Sequence, residues 1–445
     1  MFPSARRILW PGRFFCPVKP VKEDIAMPDP RRPRGCASAL LGVLLCQALA
    51  YLLYHSLAGG TLFSPDPYDS YTLQACNWLQ GRNYIAHGEG YAWLELAICN
   101  GRYYQSFPPV PALVLLPWAA VFGMNVPSNL IIAGVGLLTA AGVFGCFWQR
   151  RFAPLTAAFF AVLVGLGSNA FWLCTGGHVW FMAQMLGLCF AVWGVFFALR
   201  GRYALPSACF ALAVGCRPFY ALTALLWLGV LCRRIVRRQS RAASLLPALA
   251  PLALIGSGMA AYNLVRFGSP LEFGHAYLPE FRAAEYGQFN LHYLGENLLN
   301  LLRPVTLDAA GQLHFPIFNG FLPFAANPLF ALWAALAIAA VYKHKKKKGG
   351  PPAPKPASAD FPFPQNGFAL LAAALIVLLV TATHRTMGGW QFGARYTVDL
   401  FVYPLLWLLG GGAGRSYRPA APALTLCGMA VLFNLYGAVY MLFLS

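Results

Sequence analysis

From residue 37 to residue 443 the chain passes through one long apolar run after another, each closed by a short polar or basic stretch. The runs lie near 37–57, 126–148, 154–173, 180–199, 204–215, 217–232, 244–264, 319–342, 367–384, 396–411 and 420–443, with a shorter one at 109–122. A helix needs ~20 apolar residues to cross the ~30 Å hydrocarbon core of a bilayer, and most of these runs approach that length. No water is available there to bond a free peptide group, so each run must satisfy its own backbone, which a helix does. The alternation in ~10-residue units that a transmembrane barrel requires is absent. Composition agrees: 58% of the chain is hydrophobic and only 11% is charged, against ~25% charged in soluble domains. The sequence therefore predicts an all-α polytopic membrane protein.

Charge placement gives the orientation. A net charge of +19 in a soluble chain would suggest nucleic acid. Here the basic residues sit in short clusters between apolar runs, as cytoplasmic loops do, so no nucleic-acid partner is expected. Residues 1–36 are rich in arginine and lack a long apolar core, which reads as a cytoplasmic basic tail before a retained first span. Arg150 and Arg151 must then also lie inside, leaving room for one crossing between them and the first span. Two apolar runs occur there. The first, Pro109–Phe122, begins among three prolines in the four residues 108–111. It is expected to lie at the outer interface or dip in partway, while 126–148 crosses.

With that choice about 11 transmembrane helices alternate. The inner segments collect 25 of the 33 Lys and Arg, and the carboxyl terminus falls outside. The runs 204–215 and 217–232 read as too short for a straight crossing and meet at Arg217-Pro218. The expected organisation is a tail (1–36), a transmembrane module (37–342) with exoplasmic segments 59–125 and 265–316, a Lys- and Pro-rich cytoplasmic linker (343–366), and C-terminal transmembrane helices (367–445). The linker reads as a topology anchor or as a contact for anionic lipid. No internal repeat is visible, which disfavours an inverted-repeat transporter. The twelve cysteines form no CxxC pair, and most lie in apolar runs, where a free thiol packs as a small hydrophobe. Cys76 and Cys99 share the first outer loop and are read as either bridged or free.

Ionisable groups at a membrane face cost free energy unless they pair or work, so the outer ones are the candidates for chemistry. Asp66 and Asp69 follow the first span, and Glu95, Arg102, Tyr103 and Tyr104 follow in the same loop. A carboxylate there can take the proton of an incoming hydroxyl, which is otherwise a weak nucleophile. The competing reading makes the aspartates caps of a short helix starting near Tyr71. Arg217, at a helix break, either braces carbonyls or grips an anion; its fork suits phosphate. The stretch from Tyr262 to His275 gathers Arg266, Glu272, aromatics and glycines. Gly388–Tyr396 holds Trp390, Gln391, Phe392 and Arg395 among glycines that permit close backbone approach. Trp390 and Phe392 either stack on a sugar or isoprenoid or belong to an interfacial aromatic belt. His178, at another outer turn, is either structural or ligand-facing. No metal-binding spacing and no nucleotide-binding loop appears.

The order of these features resembles the GT-C fold integral membrane glycosyltransferases. A basic tail and one span lead to a large first outer loop with early Asp, then to Gly101-Arg102-Tyr103-Tyr104-Gln105-Ser106-Phe107-Pro108-Pro109 and the Gly215-Cys216-Arg217-Pro218 break. The aminoarabinose transferases, protein O-mannosyltransferases and lipid A core galacturonosyltransferase-like enzymes are the similar types. The resemblance implies a GT-C-like bundle whose large exoplasmic first loop carries interfacial helices. It implies an inverting transfer of a sugar from a polyprenyl-phosphate donor to an exoplasmic acceptor, in a bacterial inner membrane. The first-loop acid of the family carries over to Asp69 or Asp66. Arg102, Arg217 and Arg395 would hold the phosphate, with Tyr103, Tyr104, His178, Arg266, Glu272, Trp390 and Gln391 as further contacts. This sequence has Gln105-Ser106-Phe107 where the aminoarabinose type has a phosphate-binding Lys before Pro-Pro, and it lacks the Asp-Glu pair of the mannosyltransferases. No cofactor is implied, since the lipid-linked sugar is a substrate, and a divalent metal is compatible with the scheme. The rival expectation is a lipid or polysaccharide transporter, which needs polar groups along a path through the membrane.

Overall fold

The computed structural model describes residues 35–91, 93–346, 361–414 and 416–444, without the side chains of 343–346. The expected basic tail, up to residue 34, and residues 347–360 of the expected linker lie outside the described residues. Among the described residues six helices are long and apolar enough to cross a membrane: Cys36–Leu57, Ser128–Gln149, Val179–Leu199, Pro218–Val236, Ala242–Phe267 and Ala421–Leu442. Five shorter apolar helices accompany them. The chain is a polytopic helical membrane protein.

Helix α1 (Cys36–Leu57) has 22 residues, about 33 Å at the usual rise. Past it, Asp69 starts α2 (Ser70–Leu79) by accepting from the Thr72 backbone N–H at 3.0 Å. A small antiparallel hairpin, β1 (Leu96–Cys99) and β2 (Arg102–Gln105), turns through Asn100 and Gly101 at φ 50° and 71°. Two successive positive φ angles define the hairpin turn that Asn-Gly favours. Cys76 and Cys99 are both free thiols. The prolines at 109 and 111 then admit α3 (Val110–Phe122), since a helix's first turn needs no proline N–H.

Helix α4 (Ser128–Gln149) begins where α1 ended. Ser128 Oγ accepts from the Asp66 N–H at 3.0 Å, and Asn129 donates to the Thr61 carbonyl at 3.0 Å. The chain between them leaves one end of the bundle and returns to it, so α3 makes no net crossing.

The run 154–173 is not one span. It forms α5 (Pro154–Gly165) and, after a break, α6 (Ala170–Leu173). Asn169 at the break donates to the Phe392 carbonyl at 2.6 Å and receives Asn327 Oδ1 on its own N–H at 2.8 Å. Polar side chains thus replace the helical bonds that the break gives up. Helix α7 (Val179–Leu199) is the most buried of the long helices. It packs on α4 and on α8 (Ala204–Val214). Its Gly187 and Gly194 admit the Tyr220 and Phe210 rings, where any Cβ would stand 2.7 Å from a ring carbon.

Arg217 is extended (φ −145°) and Pro218 opens a short turn before α9 (Ala221–Val236). With that turn the segment reaches 19 residues and is long enough to cross, which corrects the reading of 217–232 as short. Helix α8 has 11 residues and remains short for a straight crossing, about 17 Å.

Helix α10 (Leu245–Phe267) leads to two short helices, α11 (Pro279–Arg282) and α12 (Leu294–Asn300). A two-residue-stranded hairpin, β3 (Thr306–Leu307) and β4 (Leu313–His314), follows. After it come α13 (Pro323–Ala326), α14 (Leu329–Lys346) and α15 (Gly367–Ala382). The run 396–411 is also corrected: Arg395–Leu400 is a 3-10 helix, and only α16 (Val402–Leu409) is α-helical. Helix α17 (Ala421–Leu442) closes the chain, its Gly437 leaving room for the Phe392 ring.

Candidate active site

The end of the bundle where α1 stops and α4 and α7 start holds a cavity of about 730 Å³. It is lined by five separate stretches: the end of α1 with the first loop (Tyr54, Asp66, Tyr68), the hairpin region (Glu95, Phe107), the start of α7 (His178, Trp180, Phe181), the loop after α10 (His275, Glu280, Phe281) and the loop after α15 (His384, Trp390, Arg395, Tyr396). The last residues of α17 add Met441 and Leu442. The opposite end is basic: Arg150 donates to the Leu409 carbonyl at 3.0 Å and Arg234 to the Phe361 carbonyl at 3.2 Å.

Asp66 lines this cavity together with Glu95 and Glu280. Its Oδ2 is 3.1 Å from His178 Nε2, and its Oδ1 accepts from the Tyr68 N–H at 2.9 Å. Asp69 is elsewhere. It is buried as the N-cap of α2, with Oδ2 accepting from the Thr72 hydroxyl at 2.6 Å, and it does not line the cavity. Burial pushes its carboxyl up to about 6 against the opposing hydrogen bonds from Thr72. Glu95, one of the outer charges of the first loop to which the resemblance assigns no role, lines the cavity and accepts from Trp180 Nε1 at 2.9 Å. Burial raises its carboxyl above the ordinary range. Burial likewise lowers His275 to about 3 and His384 to about 4, so both are neutral at physiological pH. His275 Nδ1 lies 2.5 Å from the Ser106 carbonyl and must donate to it.

Arg395 is the cavity's cation. It is 4% exposed. Nε and Nη2 donate to the Gly388 carbonyl at 3.2 and 3.0 Å, while Nη1 is buried with no hydrogen-bond partner among the described residues. No carboxylate among them lies within ion-pair distance of it. Gln391 builds the loop that presents it, accepting from the Arg395 N–H at 2.9 Å and donating to the Met387 carbonyl at 2.7 Å. Gly388 has φ +109°, and a Cβ there would stand 2.7 Å from Arg395 Nε. Only glycine fits that approach.

Of the residues expected to form the site, Asp66, His178, Trp390 and Arg395 come together; the others do not line the cavity. Arg102 is exposed and lies over the Tyr84 ring at 4.8 Å. Tyr103 pairs with Ile98 across the hairpin, and Tyr104 packs against Phe267. Arg217 is bound to Asp399, Nη2 to Oδ2 at 2.7 Å. Arg266 is buried as a brace, donating to the Gln105 carbonyl and to Asn263 and lying over Tyr262. Glu272 accepts from the Gly274 N–H at 2.6 Å. Gln391 positions Arg395 from behind the wall, and Phe392 is wholly buried against Gly437.

A second cavity of about 640 Å³, lined chiefly by apolar side chains, lies among α3, α8 and α10, with Trp78, Arg82 and Tyr262 at its border. No group of three or more His, Cys, Asp or Glu side chains is arranged to hold a metal ion among the described residues.

No family model matches the sequence, and no curated protein matches it. Solved structures that resemble the chain include two of the Archaeoglobus fulgidus oligosaccharyltransferase. One is the apo form (TM-score 0.47, 15% identity, covering 91% of this chain and 55% of that one). The other is AglB in complex with an inhibitory peptide and a dolichol-phosphate (TM-score 0.49, 13% identity, 92% and 56%). Cupriavidus metallidurans ArnT bound to undecaprenyl phosphate is also similar (TM-score 0.43, 16% identity, 89% and 63%). The chain spans 55–63% of the length of these proteins.

Proposed function

We propose that the chain is a membrane glycosyltransferase that moves a sugar from a polyprenyl-phosphate donor to an acceptor hydroxyl at the exoplasmic face. The observation that carries this reading is Arg395. A buried guanidinium with no carboxylate in contact is costly unless an anion joins it, and this one borders a cavity walled by Trp172, Trp180, Trp390, Tyr68 and Tyr396. Phosphate suits the free guanidinium edge, and aromatic faces suit the apolar faces of a sugar ring. As the phosphate leaves, its growing charge meets a cation already in place, at no cost of reorganisation. Direct displacement by the acceptor inverts the sugar carbon. The acidic group on the acceptor's side is Asp66, with its His178 partner, and Asp69 keeps a capping role. The apolar second cavity offers a bed for a lipid chain of donor or acceptor.

The amino terminus is assigned to the cytoplasm and the cavity to the outer face, of a bacterial inner membrane, because the basic clusters fall at the other end. A transporter would need polar lining that continues to that other end. The test is a titration of the purified chain in lipid nanodiscs with polyprenyl phosphate and with the matching polyprenol, followed by a panel of polyprenyl-phosphate sugars. Preference for the phosphate and turnover of one sugar donor are expected. Equal binding of phosphate and alcohol would overturn the reading.

A further inference from the structure

Resting on that reading and deepening it, we propose that the proton acceptor is His178, with Asp66 as the positioning residue that orients it. Both carboxylate oxygens of Asp66 are already engaged, Oδ1 by the Tyr68 N–H and Oδ2 by His178 Nε2. A carboxylate only accepts, so Nε2 carries the proton of the neutral imidazole and Nδ1 carries the lone pair. Nδ1 has no hydrogen-bond partner among the described residues, and the side chain, 25% exposed, borders the cavity.

Three further features fix the ring. Phe181 stacks on it at 4.6 Å and 3°, and Tyr68 at 5.4 Å and 30°. Gly176 lies against the pair itself: a Cβ there would stand 2.6 Å from His178 Cδ2 and 3.2 Å from Asp66 Oδ2. Ser128 takes the Asp66 N–H, tying the loop to the start of α4. An imidazole so held keeps one tautomer and one direction, which is what a general base needs.

In the step, the acceptor O–H proton passes to Nδ1 while its oxygen bonds to the sugar anomeric carbon. The bond from that carbon to the phosphate oxygen breaks, and the electron pair leaves with the phosphate beside Arg395. The imidazolium, stabilised by Asp66, later returns the proton to water. The other ionisable groups bordering the cavity are Glu95, Glu280, Arg395 and the neutral His275 and His384, with tyrosines 54, 68 and 396.

The experiment measures polyprenyl phosphate binding and single-turnover transfer from whichever sugar donor the panel identifies, for the full-length protein in nanodiscs. H178Q is expected to bind polyprenyl phosphate as the wild type does and to lose roughly 10²-fold or more in transfer, the usual worth of general-base catalysis. Added imidazole should restore transfer to H178A, with a pH dependence that follows the imidazole. D66N should lower transfer and shift its acid limb, and G176A should lower transfer with binding retained. If H178Q transfers within threefold of wild type with the acid limb unchanged, the assignment to His178 is overturned while the glycosyltransferase reading stands. If the wild type does not bind polyprenyl phosphate, that reading is overturned and the assignment falls with it.

Discussion

Arg395 is buried and Arg217 is largely so, and each guanidinium lies within 5 Å of the Tyr396 ring centroid, at 4.9 and 4.7 Å. Arg217 is closed off by Asp399, with two nitrogens at 2.9 and 2.7 Å from Oδ2 and the Tyr220 hydroxyl at 3.4 Å from Oδ1. Arg395 has a carbonyl on one edge and nothing on the other. Two identical side chains on one aromatic ring therefore have different duties. The paired one locks the α8–α9 break to the chain after α15, and the unpaired one is the group that the proposed reading assigns to an anion.

The contrast can be broken in a graded way. R217M should cost the most, about 3–5 kcal/mol, because it strands a buried Asp399; thermal unfolding in nanodiscs measures it. The double variant R217M/D399L should recover most of that loss. A wild-type melting temperature for R217M would show that the pair braces nothing. R395Q should leave the melting temperature level or raised and weaken polyprenyl phosphate binding roughly ten- to a hundredfold, the value of one or two charge-assisted hydrogen bonds. Unchanged binding would make Arg395 a second brace and erase the contrast.

Outside the arginines, G101A forces a side chain into φ +71° and should cost about 1–2 kcal/mol, read as a lower melting temperature with binding retained. D69A should cost about 1 kcal/mol and D69N only a few tenths, since Asn caps as well as Asp. Asp69, raised to about 6 by burial, binds more protons folded than unfolded below that pH. Its contribution to stability therefore falls as pH climbs from about 4 to about 6, and D69N should flatten that fall. Loss of transfer in D69N at normal membrane levels would move the base from the Asp66 pair to Asp69.

Much of the architecture was legible because bilayer physics is periodic and global. Apolar run length, proline placement and the parity of basic clusters marked α3 as making no net crossing. They also put the first loop and the Gly388–Tyr396 loop at one end. The breaks at 166–169 and 395–400 were not legible, because they sit inside long apolar runs and the bonds that fix them are remote: Asn169 is tied to residues 158 and 223 positions away, and Thr397 to Asn327, 70 positions away. The choice between Asp66 and Asp69 depended on where α2 starts. The Asp69-to-Thr72 spacing carries a capping signal that favours Asp69 as structural. Asn100-Gly101 announces a hairpin in the stretch that was weighed as a ligand element. The Asp399 partner of Arg217 lies 182 residues away, beyond any local pattern.

Asn169 also bears on how the molecule comes into being. Its amide and N–H find their acceptors only on residues 327 and 392. During synthesis α5 and α6 enter the bilayer long before those residues leave the ribosome. Until then the kink has polar groups without their final mates. The last third of the polypeptide thus finishes what the first half starts, and a chain cut short in the 343–366 connection would lack the Phe392 carbonyl that Asn169 bonds and the Gly388–Tyr396 loop of the cavity.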